Sequence, residues 1–114
     1  MDEKDHDSTR RPLDVTCPDC RGPLAEVIEH GVVDYQCLVG HRFSTLGLLR
    51  AHSEAQERAL WSAVVALEEA AVIARTTAAH LPRASATLLQ QAEEKLRQAG
   101  FIRGVLEELT PFLD

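Results

Sequence analysis

The apolar positions of this chain change their rhythm at Ser44. Beyond it, Leu60, Val64, Leu67, Ala71, Ala74, Ala78 and Leu81 are spaced 4, 3, 4, 3, 4 and 3 residues apart. That is the a/d seam of a helix kept for three heptads. Ser44 suits the N-cap, since its hydroxyl can accept from an amide one turn on. Between Ser44 and Pro82 there is no proline, and Gly47 is the sole glycine. The pattern predicts a helix over about 45–80, roughly 54 Å long at 1.5 Å per residue. Pro82 ends it, because proline lacks the amide donor and clashes with the preceding turn. A second seam follows: Leu89, Ala92, Leu96, Ala99, Ile102, Leu106 and Leu109. It predicts a helix from Arg83 or Ser85 to Leu109, and the short connection around Leu81–Ala84 makes the pair an antiparallel helical hairpin. Gly100 and Gly104 cost that helix about 1 kcal/mol each relative to Ala. Four apart, they share a face, which reads either as close helix approach or as fraying near the end.

Before Ser44 the period is two. Leu24, Glu26 and Ile28 alternate with Ala25, Val27 and Glu29, and Val33-Asp34-Tyr35 alternates in turn. Two β-runs are joined by a turn near Glu29–Val32. An isolated two-stranded hairpin is marginal in water and needs a staple. Residues 1–13 carry charges and no apolar period before Leu13, so they read as a disordered arm in which His6, between Asp5 and Asp7, is solvated. The expected organisation is a disordered arm over 1–13, a zinc ribbon over 14–43 and an antiparallel αα hairpin over 44–114. The fold class is small α+β.

The staple is in the cysteines. Cys17-Pro-Asp-Cys20 is followed, after sixteen residues, by Cys37-Leu-Val-Gly-His41. Zinc takes four such ligands in a tetrahedron, and a Cys-x-x-Cys turn sets two thiolates on one side of the ion. The sixteen-residue spacer holds one hairpin, so both knuckles arrive at the same end of it. Gly22 and Gly40 suit knuckle positions that need positive φ. Pro, Asp, Arg and Gly around the cysteines are poor core material, which argues against their being merely buried. A redox Cys-x-x-Cys centre would lack the βαβ context of a thioredoxin-like motif and leave Cys37 unexplained. One structural Zn2+ per chain is therefore expected on Cys17, Cys20, Cys37 and His41. His30, at the far turn, and His52, in the helix, are the other candidates for the fourth ligand.

Composition removes whole classes. The chain has 114 residues and a formal charge of −6, and from 14 to 43 two arginines face five carboxylates. Such a surface repels phosphate, which argues against a nucleic-acid-binding ribbon, the alternative reading. No apolar run reaches the ~18 residues of a membrane span, and the polar first residues do not form a signal peptide. Three cysteines, an odd number crowded into 17–37, indicate a metal site in a reducing compartment, so a cytoplasmic protein is expected. No nucleophile–base pair, Gly-rich phosphate loop or Glu-x-x-His pairing occurs, so neither an enzyme nor a small-molecule substrate is expected.

CPDCRGPL (17–24), CLVGHRFS (37–44) and ALWSAVVALEE (59–69) in this order resemble the zinc ribbon and helical segment appended to some chemotaxis protein-glutamate methylesterases. The resemblance runs from about Val15 to Ala71. Position by position it implies Cys17, Cys20, Cys37 and His41 as ligands and Trp61 as a packing residue. Ala25 departs from it, standing where the family often has a bulky side chain. The methylesterase catalytic domain has no counterpart here, so what the resemblance implies is an accessory module in a signalling pathway and not hydrolysis.

The function expected is that of a protein–protein adaptor. Besides its seam, the first helix carries Leu46, Leu49, Trp61, Val65 and Val72, more apolar faces than two helices can bury. A homodimer through the helices, as a four-helix arrangement, or another protein partner would cover them. Alternatively, Trp61 packs under the ribbon. A thiol-based redox or zinc sensor is a further alternative.

Overall fold

The computed structural model describes residues 8–109, in two compact units: one holds the sheet and the chain up to Ala55, the other begins at Gln56. The first contains β1 (Ser8–Thr16), β2 (Pro23–Glu29), β3 (Val32–Cys37) and β4 (Arg42–Phe43), followed by the first turns of α1 (Thr45–Ala78). The four strands form one antiparallel sheet in the order β1-β2-β3-β4.

The predicted hairpin is β2–β3, with Leu24 opposite Cys37 and Glu29 opposite Val32. Its turn is at His30 and Gly31, both with positive φ (51° and 79°). Two successive left-handed residues match the twist of the strands they join.

β1 corrects the expectation of a disordered arm over its described part. Ser8–Leu13 pairs residue for residue with Leu24–Glu29. The segment shows no apolar alternation because it is an edge strand with most of its side chains in solvent. What holds it is the outer row of β2 backbone groups, which must find partners. Pro12 and the two arginines are typical of such edges, where they discourage further pairing. Arg11 is tied to Glu26 on β2 at 2.6 Å. Residues 1–7 of the expected arm, with His6, lie outside the described residues.

The core of this unit is small. Cys17, Leu24 and Cys37 are buried together, with Leu13, Tyr35, Phe43 and Leu48 packed against them. Asp34 holds β4 in place: Arg42 donates to its Oδ2 through Nε (3.0 Å) and Nη2 (2.7 Å), and the Tyr35 amide donates to Oδ1. The Arg42 bonds, with Gln36 and the Tyr35 amide helping against desolvation, hold the Asp34 carboxyl below its ordinary range.

Ser44 caps α1 as expected, its Oγ accepting from the Gly47 amide at 3.0 Å. In the second unit, α1 and α2 (Ser85–Glu108) run antiparallel. Arg103, late in α2, donates to Glu68 at 2.9 Å and lies 5.4 Å above the Trp61 ring, although both partners precede the end of α1 by ten residues or more. Val64, Ala71, Ala78, Ala92 and Ala99 are buried between the helices.

The α1 seam is as predicted except at Leu81, exposed because the helix stops at Ala78. In α2, Leu89 and Leu96 are exposed, and Leu88 and Lys95 take the inward positions. Leu88, Ala92, Lys95, Ala99, Ile102 and Leu106 keep an unbroken 4, 3, 4, 3, 4 spacing. Lys95 hid this register, since a lysine joins a seam through its aliphatic stem and reads as polar. Gly100 and Gly104 do not serve close approach: each is exposed within the helix, and an added Cβ would meet nothing within 4 Å.

Candidate metal centre

Pairing of Leu24 with both Leu13 and Cys37 brings two turns to one end of the sheet. The β1–β2 connection is the Cys17–Cys20 turn, and the β3–β4 connection is Cys37–His41. In the first, the Cys17 amide donates to the Gly22 carbonyl (2.7 Å) and the Arg21 amide to the Cys17 carbonyl (2.8 Å). In the second, the Gly40 amide donates to the Cys37 carbonyl (3.3 Å). Gly40 takes the left-handed conformation expected of it (φ 103°). In the first turn that conformation falls on Arg21 (φ 68°) and not on Gly22, whose absent side chain instead leaves room for Cys20 Sγ, 3.4 Å from where a Cβ would stand.

The four ligand atoms of Cys17, Cys20, Cys37 and His41 all lie within 4.8 Å of one another. Cys20 and Cys37 sulfurs are 3.7 Å apart, and His41 Nδ1 is 3.3 Å from Cys37 Sγ and 3.7 Å from Cys17 Sγ. A tetrahedral ion with bonds of about 2.3 Å to sulfur and about 2.0 Å to nitrogen needs S–S edges near ~3.8 Å and S–N edges near ~3.5 Å. The cluster already has that size. Among the described residues this is the one group of three or more His, Cys, Asp or Glu side chains arranged to hold a metal ion. His30, exposed at the opposite turn, and His52, exposed on α1, are not in it.

The backbone is also arranged for thiolates. Burial opposes ionisation of Cys37, but the amides of His41 and Val39, then the His41 ring and the Cys20 thiol, outweigh it and bring the group down to about 6. The His41 amide reaches Cys37 Sγ at 3.3 Å. At Cys20 the Gly22 amide favours the thiolate, yet desolvation and the neighbouring Cys37 and Cys17 thiols raise it. Crowded sulfurs that cannot all ionise together are what a cation relieves.

The four residues expected from spacing are brought together by the structure as a candidate metal-binding group. What sequence reasoning missed is the apolar tip of the second knuckle. Leu38 and Val39 are more than 70 % exposed. Their position between two ligands was the available signal, because a four-residue knuckle has no interior in which to bury them. Trp61, expected as a packing residue, is partly exposed and stacks with Arg103. No described helix is long and apolar enough to cross a membrane. Comparison of the chain with known protein families, with curated proteins and with solved structures found no match.

Proposed function

We propose that the chain is an interaction adaptor whose sheet is stapled by one structural zinc ion, bound by Cys17, Cys20, Cys37 and His41. The observation that carries this reading is the convergence of three sulfurs and one imidazole nitrogen at tetrahedral spacing. Three thiolates and an imidazole suit zinc among the common divalent ions. Four protein ligands leave no coordination position for a substrate, which favours a structural role over a catalytic one. The exposed Leu38 and Val39, held beside the metal on a rigid knuckle, and the exposed apolar residues of the helices supply surfaces for protein partners. The resemblance to the ribbon of chemotaxis methylesterases supports a place in a signalling pathway.

Native mass spectrometry on protein expressed without added metal, before and after acidification, tests it. One zinc per chain, released by acid, is the expected result. A metal-free chain isolated under reducing conditions contradicts it.

A thiol sensor is the second reading, favoured by the exposure of Cys20 with its sulfur 3.7 Å from that of Cys37. Two thiolates there would pass two electrons to a peroxide, forming a disulfide and releasing the ion. Loss of zinc under mild peroxide, restored by a thiol reductant, distinguishes this reading.

A further inference from the structure

One side of the helical hairpin carries exposed apolar side chains at both ends and in the middle, interspersed with Glu68, Arg75, Glu93 and Arg103. The seam fixes the positions: with Val64, Ala71 and Ala78 at a, Trp61 and Glu68 fall at e, and Val65 and Val72 at b. With Ala92 and Ala99 at a, Leu89, Leu96 and Arg103 fall at e. Because Arg103 reaches Trp61 and Glu68, the two e sides lie on the same side of the hairpin. Trp61, Val65, Val72, Leu89 and Leu96 therefore share one surface, and they are 43 %, 50 %, 59 %, 46 % and 37 % exposed. These five side chains leave roughly 400 Å² of apolar area in water, within the ~300–600 Å² that a monomer's largest patch shows.

We propose that this surface is the contact between two copies of the chain, related by a two-fold axis near Val72 and Leu96. The proposal deepens the adaptor reading, on which it rests for its purpose, by naming one partner. Two features of the surface favour a second copy. The first is size. The 24-residue α2 is ~36 Å long and two helices side by side are ~20 Å wide, giving about 700 Å². A stable interface takes ~800 Å² from each partner. The second is self-complementarity. Apolar residues lie at both ends and the middle, so reversing one copy on the other sets Trp61 toward Leu89 and the central Val72 and Leu96 toward their own counterparts.

Charge follows the same reversal. The end of the hairpin nearest Trp61 has Glu57, Glu68 and Glu107 against Arg58 and Arg103. The end nearest the connection has Arg75 and Arg83 against Glu93. A two-fold axis across the middle brings the acidic end of one copy over the basic end of the other, whereas a parallel arrangement would set like over like.

Sedimentation velocity on the full zinc-supplemented chain, paired with native mass spectrometry, tests this. The wild-type chain should be a dimer at micromolar concentration. Val72→Glu with Leu96→Glu should raise the dimer dissociation constant at least ~100-fold, since each dimer would bury four carboxylates. Phe101→Glu, an exposed position off this face, should leave the dimer unchanged. Far-UV circular dichroism should show full helicity in all three proteins, as every substituted side chain is exposed. A wild-type chain that stays monomeric at high micromolar concentration overturns the proposal and gives the face to another protein. So does a dimer broken by Phe101→Glu but not by the double variant. Zinc count and subunit number come from the same spectra: a zinc-loaded monomer overturns the dimer alone, and a metal-free dimer overturns the zinc reading alone.

Discussion

In the sheet unit, two of the three residues at the centre of the core, Cys17 and Cys37, belong to the candidate metal-ligand set, and Leu24 is the third. In the helical unit the buried set is Val64, Ala71, Ala78, Ala92 and Ala99, with no titratable group among them. Neither unit buries a large apolar volume. The sheet gathers candidate metal ligands at its centre, and the helices bury mainly alanine. The two should therefore fail under different insults, and that difference can be probed one unit at a time.

Metal removal has the largest expected effect. Zinc at such a site contributes on the order of 10 kcal/mol to folding. Chelation, or Cys17→Ser, should abolish the sheet while the helical signal at 222 nm persists, and amide spectra should lose dispersion for residues 8–43 alone. Loss of both units together would show that the helices depend on the ribbon.

Core substitutions come next and should separate the units in the other direction. Leu24→Ala should cost the zinc-loaded sheet about 3 kcal/mol. Ala92→Leu, which forces a larger side chain between the helices, should cost about 1–3 kcal/mol. Denaturant unfolding measures both, and zinc stoichiometry should change with neither. A smaller pair concerns backbone strain in the knuckles. Gly40→Ala places a Cβ at φ 103° and should weaken zinc binding by about tenfold, whereas Arg21→Gly removes a left-handed arginine and should leave binding unchanged or slightly tighter. Zinc competition titration reads both.

The smallest effect is electrostatic. Because Arg42 holds the Asp34 carboxyl below its ordinary value, its contribution is fully present above the unfolded value of 3.8 and fades as pH falls through the lower folded one. The pair is partly solvated, so Asp34→Asn should cost less than ~1 kcal/mol at neutral pH, and that cost should shrink as pH falls through the lowered folded value.

How far the fold could be read depended on whether side-chain pattern or backbone pairing decided each element. The α1 seam, the Ser44 cap and the β2–β3 hairpin follow from periodicity and local chemistry, and each is present. The site was legible for the same reason: Cys-x-x-Cys and Cys-x-x-x-His need no tertiary information. β1 was not, because an edge strand of Thr, Arg and Pro earns its place through the backbone of its neighbour. The inward register of α2 was obscured by one residue, Lys95, whose charged end conceals an apolar stem. Placing Leu89 and Leu96 in the seam concealed their exposure.

The central claim is that three sulfurs and one imidazole nitrogen hold a single zinc ion. X-ray absorption at the zinc edge of the purified chain tests it most directly. The expected spectrum fits three sulfur neighbours near ~2.3 Å and one nitrogen near ~2.0 Å. His41→Ala should lose the nitrogen shell, and His30→Ala and His52→Ala should leave it unchanged. A coordination shell of oxygen and nitrogen without sulfur, or an imidazole signal that survives His41→Ala, would contradict the account.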